Sequence, residues 1–198
     1  MKPLKESFIK AKDLDNLNKK KYILTDIKKS WNNRTLYRIQ ALKNIPSIKV
    51  KKGDLGGWIE SYNNLDQKGD CWVGGEAFVY GDAQVFNNAK IYDKAKVYDN
   101  AQIYDDALIK DLVWVSGNAK IYGNAKVYDN VWIFDNAEIY DDAEVYGISQ
   151  VSNNAEVYGN AKVYGNAIVC GSAKVYGNAE ICGGVKVDYN VNKGKINK

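Results

Sequence analysis

The sequence predicts an all-β protein: a coil of short parallel strands, three strands per coil, with a small mixed or β cap on its N-terminal side. First, residues 77–191 repeat every six residues without a slip. Second, all nineteen slots from Val79 to Val187 in that period hold Val or Ile. Third, eleven of the nineteen slots from Asp82 to Asn190 hold Asn. A period this strict is typical of a solenoid, in which each repeat stacks on its neighbours.

The cap is expected over residues 1–69. Residues 4–20 predict a short helix, because Leu4, Phe8, Ala11 and Leu17 share a rough apolar face. Residues 21–26 and 35–43 have strand-like composition, and Asn32-Asn33 between them is a turn signal, so we expect a β-hairpin. A Gly-rich corner follows at residues 53–58.

Each hexad of residues 70–191 reads as one strand and one corner. The Ala and the Val or Ile stand two positions apart, so both point to the same side of a short strand, which must be the interior. Gly or Asp followed by Asn tolerates the backbone angles of a tight corner. Three hexads close a coil of 18 residues, and about six coils give a rod on the order of 30 Å long. Residues 192–198 form a basic tail.

Charge is divided unevenly along the chain. Residues 1–69 carry 16 basic and 7 acidic side chains, whereas residues 70–192 carry 9 basic and 17 acidic ones. Such a split favours attraction between the two parts or an acidic partner for the basic part. The three cysteines are odd in number and lack metal-site spacing. No apolar run is long enough for a membrane span or a signal peptide, so we expect a cytoplasmic protein with no cofactor and no membrane partner.

Several motifs carry a resemblance to a known family. The hexad itself, residues 53–58, the Asn64-Leu65 pair and residues 69–73 resemble the YdcK-like hexapeptide-repeat proteins. This resemblance implies a left-handed parallel β-helix built from hexapeptide repeats. Similar proteins occur in phages and prophages. A phage origin would imply a role in the host cytoplasm, as an inhibitor of a host defence protein.

Stacking positions 18 residues apart defines three faces of the rod. The second face carries a vertical file of rings that could stack sugars or bases, or simply stack on one another: Phe86, Tyr104, Tyr122, Tyr140, Tyr158 and Tyr176. The third face alternates charge at Lys126, Glu144, Lys162 and Glu180, which predicts ion pairs between successive rungs.

The first face departs from the repeat. Leu112 and Ile148 occupy Asn slots of one corner, and Trp114 and Trp132 fall on consecutive coils. We predict one apolar patch, suited to binding a partner or a second copy: Leu112, Trp114, Trp132, Phe134, Ile148 and Ile168. Three alternatives remain for what buries this patch: the chain's own ends, a second copy in a homo-oligomer, or a foreign protein.

Catalysis is not expected. Hexapeptide-repeat acyltransferases, which this chain resembles in its repeat, rely on a histidine base and usually on a projecting loop. This chain has no histidine, and its period leaves no room for a loop. Zinc sites of related enzymes also need histidines. We therefore predict a non-catalytic scaffold that binds a macromolecule, with a divergent acyltransferase-like enzyme as one alternative.

Nucleic-acid binding is the other alternative. The N-terminal region contains a set of basic side chains with Trp31 and Tyr37 interleaved, a pattern suited to phosphate contacts: Lys19, Lys20, Lys21, Lys28, Lys29, Arg34, Arg38, Lys49, Lys51 and Lys52.

Overall fold

The computed structural model describes residues 19–197 as a three-sided parallel β-solenoid with a β-hairpin at one end. The predicted fold class, with three strands per coil, is confirmed. The predicted number of about six coils is too low, because the solenoid has about 8 turns. The prediction counted only the regular hexads, so it left out the strands at the two ends of the coil, whose sequences depart from the repeat.

The first face is the largest sheet, with ten strands. In spatial order it contains β1 (Tyr22–Trp31), β2 (Arg34–Ala41), β3 (Leu55–Ile59), β5 (Phe78–Val79), β8 (Lys96–Val97), β11 (Trp114–Val115), β14 (Trp132–Ile133), β17 (Gln150–Val151), β20 (Ile168–Val169) and β23 (Lys186–Val187). The hairpin strands are antiparallel, and from β3 onward every pair is parallel with partners about one coil apart.

The other two faces are built only from short parallel strands. The second face holds β6 (Gln84–Val85), β9 (Gln102–Ile103), β12 (Lys120–Ile121), β15 (Glu138–Ile139), β18 (Glu156–Val157) and β21 (Lys174–Val175). The third face holds β4 (Trp72–Val73), β7 (Lys90–Ile91), β10 (Leu108–Ile109), β13 (Lys126–Val127), β16 (Glu144–Val145), β19 (Lys162–Val163), β22 (Glu180–Ile181) and β24 (Lys195–Ile196). Two short 3-10 turns lie at Pro46–Ile48 and Tyr62–Asn64.

The interior of the prism is the predicted one. Ala77, Val79 and their equivalents in later hexads are buried, and the apolar ones form one continuous core. Asp and Gly at the corners adopt left-handed angles, as at Asp129 (φ 67°). The Asp129 carboxylate also accepts a hydrogen bond from the Gly147 amide one coil later, at 3.0 Å. Corner residues therefore tie successive coils together as well as turning the chain.

The cap is joined to this core. The predicted hairpin is confirmed, with its turn at Asn32 (φ 46°) and Asn33 (φ 57°). Strand β3 approaches the first coil so closely that a Cβ on Gly56 would lie 2.5 Å from a side-chain carbon of Ile39 and 2.6 Å from the Val73 carbonyl oxygen. This close approach explains the Gly-rich corner. The helix expected over residues 4–20 lies almost wholly outside the described residues.

The coil extends beyond residues 70–191 at both ends. At the start, Trp58 and Ile59 of β3 pair with β5, and Leu65 bridges Val85. At the far end, β24 pairs with β22 and places Ile196 against the core. Part of the basic tail is therefore the last rung of the solenoid.

Candidate protein-docking surface

The structure brings the two tryptophans of the first face together as predicted. Trp114 pairs directly with Trp132 in the parallel register, and their ring centroids lie 6.0 Å apart with planes 21° apart. Trp132 is the more open of the two, with 56% of its surface exposed. Trp114 is half-buried, since Lys96 and Trp132 lie on its two sides along the sheet.

The two aliphatic corner residues are also exposed. Leu112 is 47% exposed and Ile148 is 66% exposed. Both lie at the corner between the third and first faces, which we call the groove corner (residues 93–94, 111–112, 129–130 and 147–148). Phe134 and Ile168 are half-buried on the first face. The predicted patch thus has three open members, Leu112, Trp132 and Ile148, with partly covered residues beside them.

The groove corner lacks the asparagine ladder that lies at the corner between the first and second faces. There Asn100, Asn118, Asn136 and Asn154 form a ladder, with each side-chain amide donating to the next at 2.9–3.1 Å. At the groove corner, Leu112 and Ile148 interrupt the equivalent positions around Asn130. The chain therefore gives up ladder hydrogen bonds here and exposes two aliphatic side chains, which do not favour a solvated corner.

A shallow groove runs along this corner. It has a volume of about 630 Å³, and its lining includes Leu112, Asn130 and Ile148. Its acidic lining residues, Asp111 and Asp129, form rungs of the carboxylate–amide ladder: the Asp111 carboxylate accepts from the Asp129 amide at 3.3 Å. The groove thus has a rigid wall, with apolar side chains standing one coil above and one coil below Asn130.

The hairpin covers a different part of the first face. Trp31 packs edge-on against Phe78 at 5.2 Å, and its indole lies near the Tyr80 hydroxyl, at 3.4 Å. Phe78 and Tyr80 are consequently only 6% and 5% exposed. Leu112, Trp132 and Ile148 stay uncovered among the described residues. The described part of the cap therefore covers only the end of the first face at Phe78 and Tyr80.

Lys96 marks the boundary between the covered and open parts. Its ammonium group lies 4.6 Å from the Trp31 ring centroid and 4.0 Å from that of Trp114. Burial lowers the pKa of Lys96 from its usual value, and the contact with two ring faces compensates part of the lost hydration. The first face therefore carries a continuous stripe from Trp31 through Lys96 to the two stacked indoles. From the sequence, Lys96 was only an outward-facing residue of a hexad, and its contacts with Trp31 and Trp114 were not predicted.

The tyrosine file of the second face does not offer ring faces to a ligand. Its consecutive centroids lie 4.8–5.1 Å apart, with planes within 6° of parallel. Each inner ring is thus stacked on both sides by its neighbours, so stacking of sugars or bases along this face is not supported. The charge pairing predicted for the third face is confirmed around Glu144, which lies between Lys126 (3.5 Å) and Lys162 (3.6 Å). Glu180 instead pairs with Lys195, at 3.8 Å.

Four of the candidate nucleic-acid-binding residues are engaged within the chain. Lys21 is 5% exposed and donates to the carbonyl oxygens of Lys68, Gly69 and Cys71. Lys29 and Arg38 both contact the Glu76 carboxylate, and Arg34 makes two hydrogen bonds to Glu60.

The remaining candidates differ in their surroundings. Lys20 lies over the Tyr62 ring at 4.4 Å, and Lys28 lies 5.4 Å from the Tyr37 ring centroid. Lys19, Lys49, Lys51 and Lys52 are exposed.

Glu76, between β4 and β5 of the coil, binds the cap in a way that the sequence did not reveal. Its carboxylate also accepts a hydrogen bond from the Trp58 indole at 3.0 Å. Hydrogen bonding from Lys29 comes first among the causes that lower the pKa of Glu76 to about 2. Asn64 stands out in the sequence only as part of the Asn64-Leu65 pair. Its buried side-chain amide bonds four backbone groups and joins the Tyr62–Asn64 turn to the next rung.

Metal-ligating side chains are scattered over residues 19–197. No cluster of three or more His, Cys, Asp or Glu side chains is placed to hold a metal ion there. Cys71, Cys170 and Cys182 are free and buried. Among the described residues, no helix is both long and apolar enough to span a membrane.

Comparison with known proteins agrees with this architecture. Residues 155–171 match the family model described as the YdcK Beta solenoid repeat. A search of curated proteins found no match. The matched segment covers one coil, and its pattern recurs through the stacked rungs on both sides. The match at residues 155–171 and the β-solenoid architecture together support a YdcK-like repeat family.

Proposed function

We propose that this protein is a non-catalytic β-solenoid scaffold that associates with another protein through the first-face patch. The observation that carries the proposal is the exposure of Leu112, Trp132 and Ile148 on one rigid surface. Exposed tryptophan flanked by aliphatic residues is the composition of an interface centre.

The form of the coil supports a binding role over catalysis. The strands of the repeat are joined by short corners from Val73 to Lys186, so no loop stands over a face. The chain also has no histidine to act as a general base near neutral pH. A stiff rod with an open apolar patch is suited to holding a partner in a defined orientation.

A second copy of the chain is the first partner to test. Leu112 and Ile148 stand one coil on either side of Asn130 at the same corner. Two copies related by a two-fold axis near Asn130 could therefore bring Leu112 of each against Ile148 of the other, which is the self-complementarity that a two-fold dimer requires. A foreign protein is the competing occupant.

The decisive variant restores the repeat's own chemistry. Leu112→Asn with Ile148→Asn extends an amide ladder through Asn130, so we expect thermal stability to be kept or raised while association is lost. A matched control is Ile27→Asn with Leu55→Asn, because these cap residues are 50% and 47% exposed and lie away from the patch.

Sedimentation equilibrium of the purified chain measures self-association, and quantitative affinity capture from a cell lysate measures foreign partners. The expected result is association in the wild type and the control and at least a tenfold weakening in the patch variant. If the patch variant associates as strongly as the wild type, or if the wild type binds neither itself nor any protein that the variant loses, the proposed function is wrong.

A further inference from the structure

The capped end of the rod carries exposed lysines that belong neither to the patch nor to any ion pair with a described residue. Lys43, Lys49, Lys51 and Lys52 lie on the loop between β2 and β3, and Lys19 lies beside it. We call these five residues the basic loop. The Lys43 ammonium donates to the Lys19 carbonyl at 3.1 Å, which brings the two segments together.

The loop is held in one shape by its own backbone. Ile45 and Val50 form an antiparallel bridge around the Pro46–Ile48 turn. The Lys52 amide donates a hydrogen bond to the Asn44 side chain at 2.8 Å, and the Gly53 amide donates one to the Ala41 carbonyl at 2.8 Å. The lysines therefore project from a closed, ordered loop.

The basic side chains are separated into two groups along the hairpin. Lys29, Arg34 and Arg38, which lie on the hairpin strands, are neutralised by Glu60 and Glu76. The basic loop lies at the opposite, open end of the hairpin. Among the described residues, none of its five ammonium groups forms a salt bridge.

Two carboxylates near the loop are committed to other bonds. Asp54 accepts from the Lys51 amide at 2.7 Å, and Asp70 accepts from the Ser47 hydroxyl at 2.6 Å. Five ammonium groups beside two carboxylates leave this end of the rod with a positive charge. The rest of the coil is acidic, with 17 acidic and 9 basic side chains over residues 70–192.

From this placement we infer that the basic loop binds the phosphate backbone of nucleic acid, independently of the first-face patch. Lysine ammonium groups at loop tips contact phosphates as point charges and release bound counterions, which makes such binding strongly salt-dependent and largely independent of sequence. The acidic flank of the rod would keep the polyanion at the capped end, away from the patch.

The test measures affinity for a fluorescent DNA duplex and for single-stranded RNA by anisotropy, from low to physiological salt. The variant is Lys49→Gln with Lys51→Gln and Lys52→Gln in the full chain. The control is Lys126→Gln with Lys162→Gln and Lys174→Gln, which changes net charge equally but removes lysines that pair with Glu144 or Glu156.

We expect the loop variant to bind at least tenfold more weakly at low salt. The slope of log affinity against log salt should fall by about 2 to 3, because each lost phosphate contact contributes about 0.9 on duplex DNA. The control should stay within about twofold of the wild type by the same counterion argument.

Three results would overturn the inference: no nucleic-acid binding by the wild type at low salt, equal weakening in variant and control, or binding only to vesicles that contain phosphatidylserine. None of them bears on the first-face patch, which is tested separately by self-association and protein capture.

Discussion

Glu76 connects the cap to the solenoid through a single carboxylate. It accepts hydrogen bonds from Lys29 and Arg38 on the hairpin and from Trp58 on the first rung. These partners come from three separate strands, so the carboxylate holds the hairpin over Phe78 and Tyr80. Loss of its charge should loosen the hairpin first and leave the coil intact.

The pH dependence of this contact has a definite sign. The pKa of Glu76 is lowered to about 2 from 4.5, so the stability it contributes is present above about pH 4.5 and is lost as the pH falls toward 2. Because the carboxylate is about half exposed, solvent screens the interaction, and we expect a loss of only about 0.5–1 kcal/mol. Tryptophan fluorescence of Trp31 and Trp58 against pH should report this transition.

Glu76→Gln should remove that acid transition, because the amide keeps an acceptor for the Trp58 indole but does not titrate. Glu144→Gln, on the third face, is the control and should leave the fluorescence transition unchanged. An acid profile of Glu76→Gln identical to that of the wild type would show that the hairpin is held by other contacts.

Contacts of this kind could not be predicted from the sequence. Glu76 stands 47 residues from Lys29 and 38 from Arg38. Its role depends on where the hairpin lies over the first coil, which no local pattern encodes. Trp114 and Trp132, in contrast, were placed together from the sequence alone, because an 18-residue coil makes positions 18 apart into neighbours.

At the scale of the strand, each outward-facing ring of the second face is expected to stabilise the stack according to the number of rings stacked on it. Tyr122 lies between Tyr104 at 4.8 Å and Tyr140 at 4.9 Å, and its hydroxyl donates to Glu138 at 3.2 Å. Tyr176 ends the file and, among residues 19–197, stacks on Tyr158 alone, at 5.1 Å. The two residues share their position in the hexad and their half-burial, and they differ in the number of stacked rings and in the Tyr122 hydrogen bond to Glu138.

We expect Tyr122→Ala to lower the free energy of unfolding by about 1–3 kcal/mol and Tyr176→Ala by about 0.5–1.5 kcal/mol, since an inner ring loses two stacking contacts and an end ring loses one. Urea denaturation followed by circular dichroism measures both losses. Equal losses would mean that burial of the tyrosine against its own strand, and not stacking between rungs, provides the stability.

At the scale of the whole molecule, the rod is a one-dimensional stack, so each coil depends on the next one for its hydrogen bonds. The sequence predicted the regular middle of this stack, because every hexad repeats the same small and aliphatic interior positions. It did not predict the terminal rungs. Leu65 and Val191 form isolated bridges, and β24 pairs with β22 after a break in the six-residue spacing. Ends must be capped by irregular sequence, and irregular sequence carries no period.

The tail is therefore expected to protect the last coil by covering it as well as by its charge. Val191 accepts from the Tyr176 amide at 2.9 Å and donates to the Lys174 carbonyl at 2.8 Å, and Ile196 accepts from the Cys182 amide at 2.9 Å. Deleting residues 188–198 would leave the Tyr176 and Cys182 amides without these partners and would uncover core residues at an open strand edge, which is a template for aggregation.

We expect the deletion to raise light scattering at micromolar concentration and to lower the thermal midpoint. Lys193→Gln with Lys195→Gln keeps the terminal rung but removes two charges, so it separates covering from electrostatic protection. A large rise in scattering for the deletion and a small one for the double variant would show that covering of the last coil dominates. Charged side chains at an edge only hinder strand pairing, whereas a terminal strand occupies the edge itself. Scattering that stays at the wild-type level after the deletion would mean that the coil ending at Val187 closes itself, and the capping role assigned to Val191 and Ile196 would be wrong.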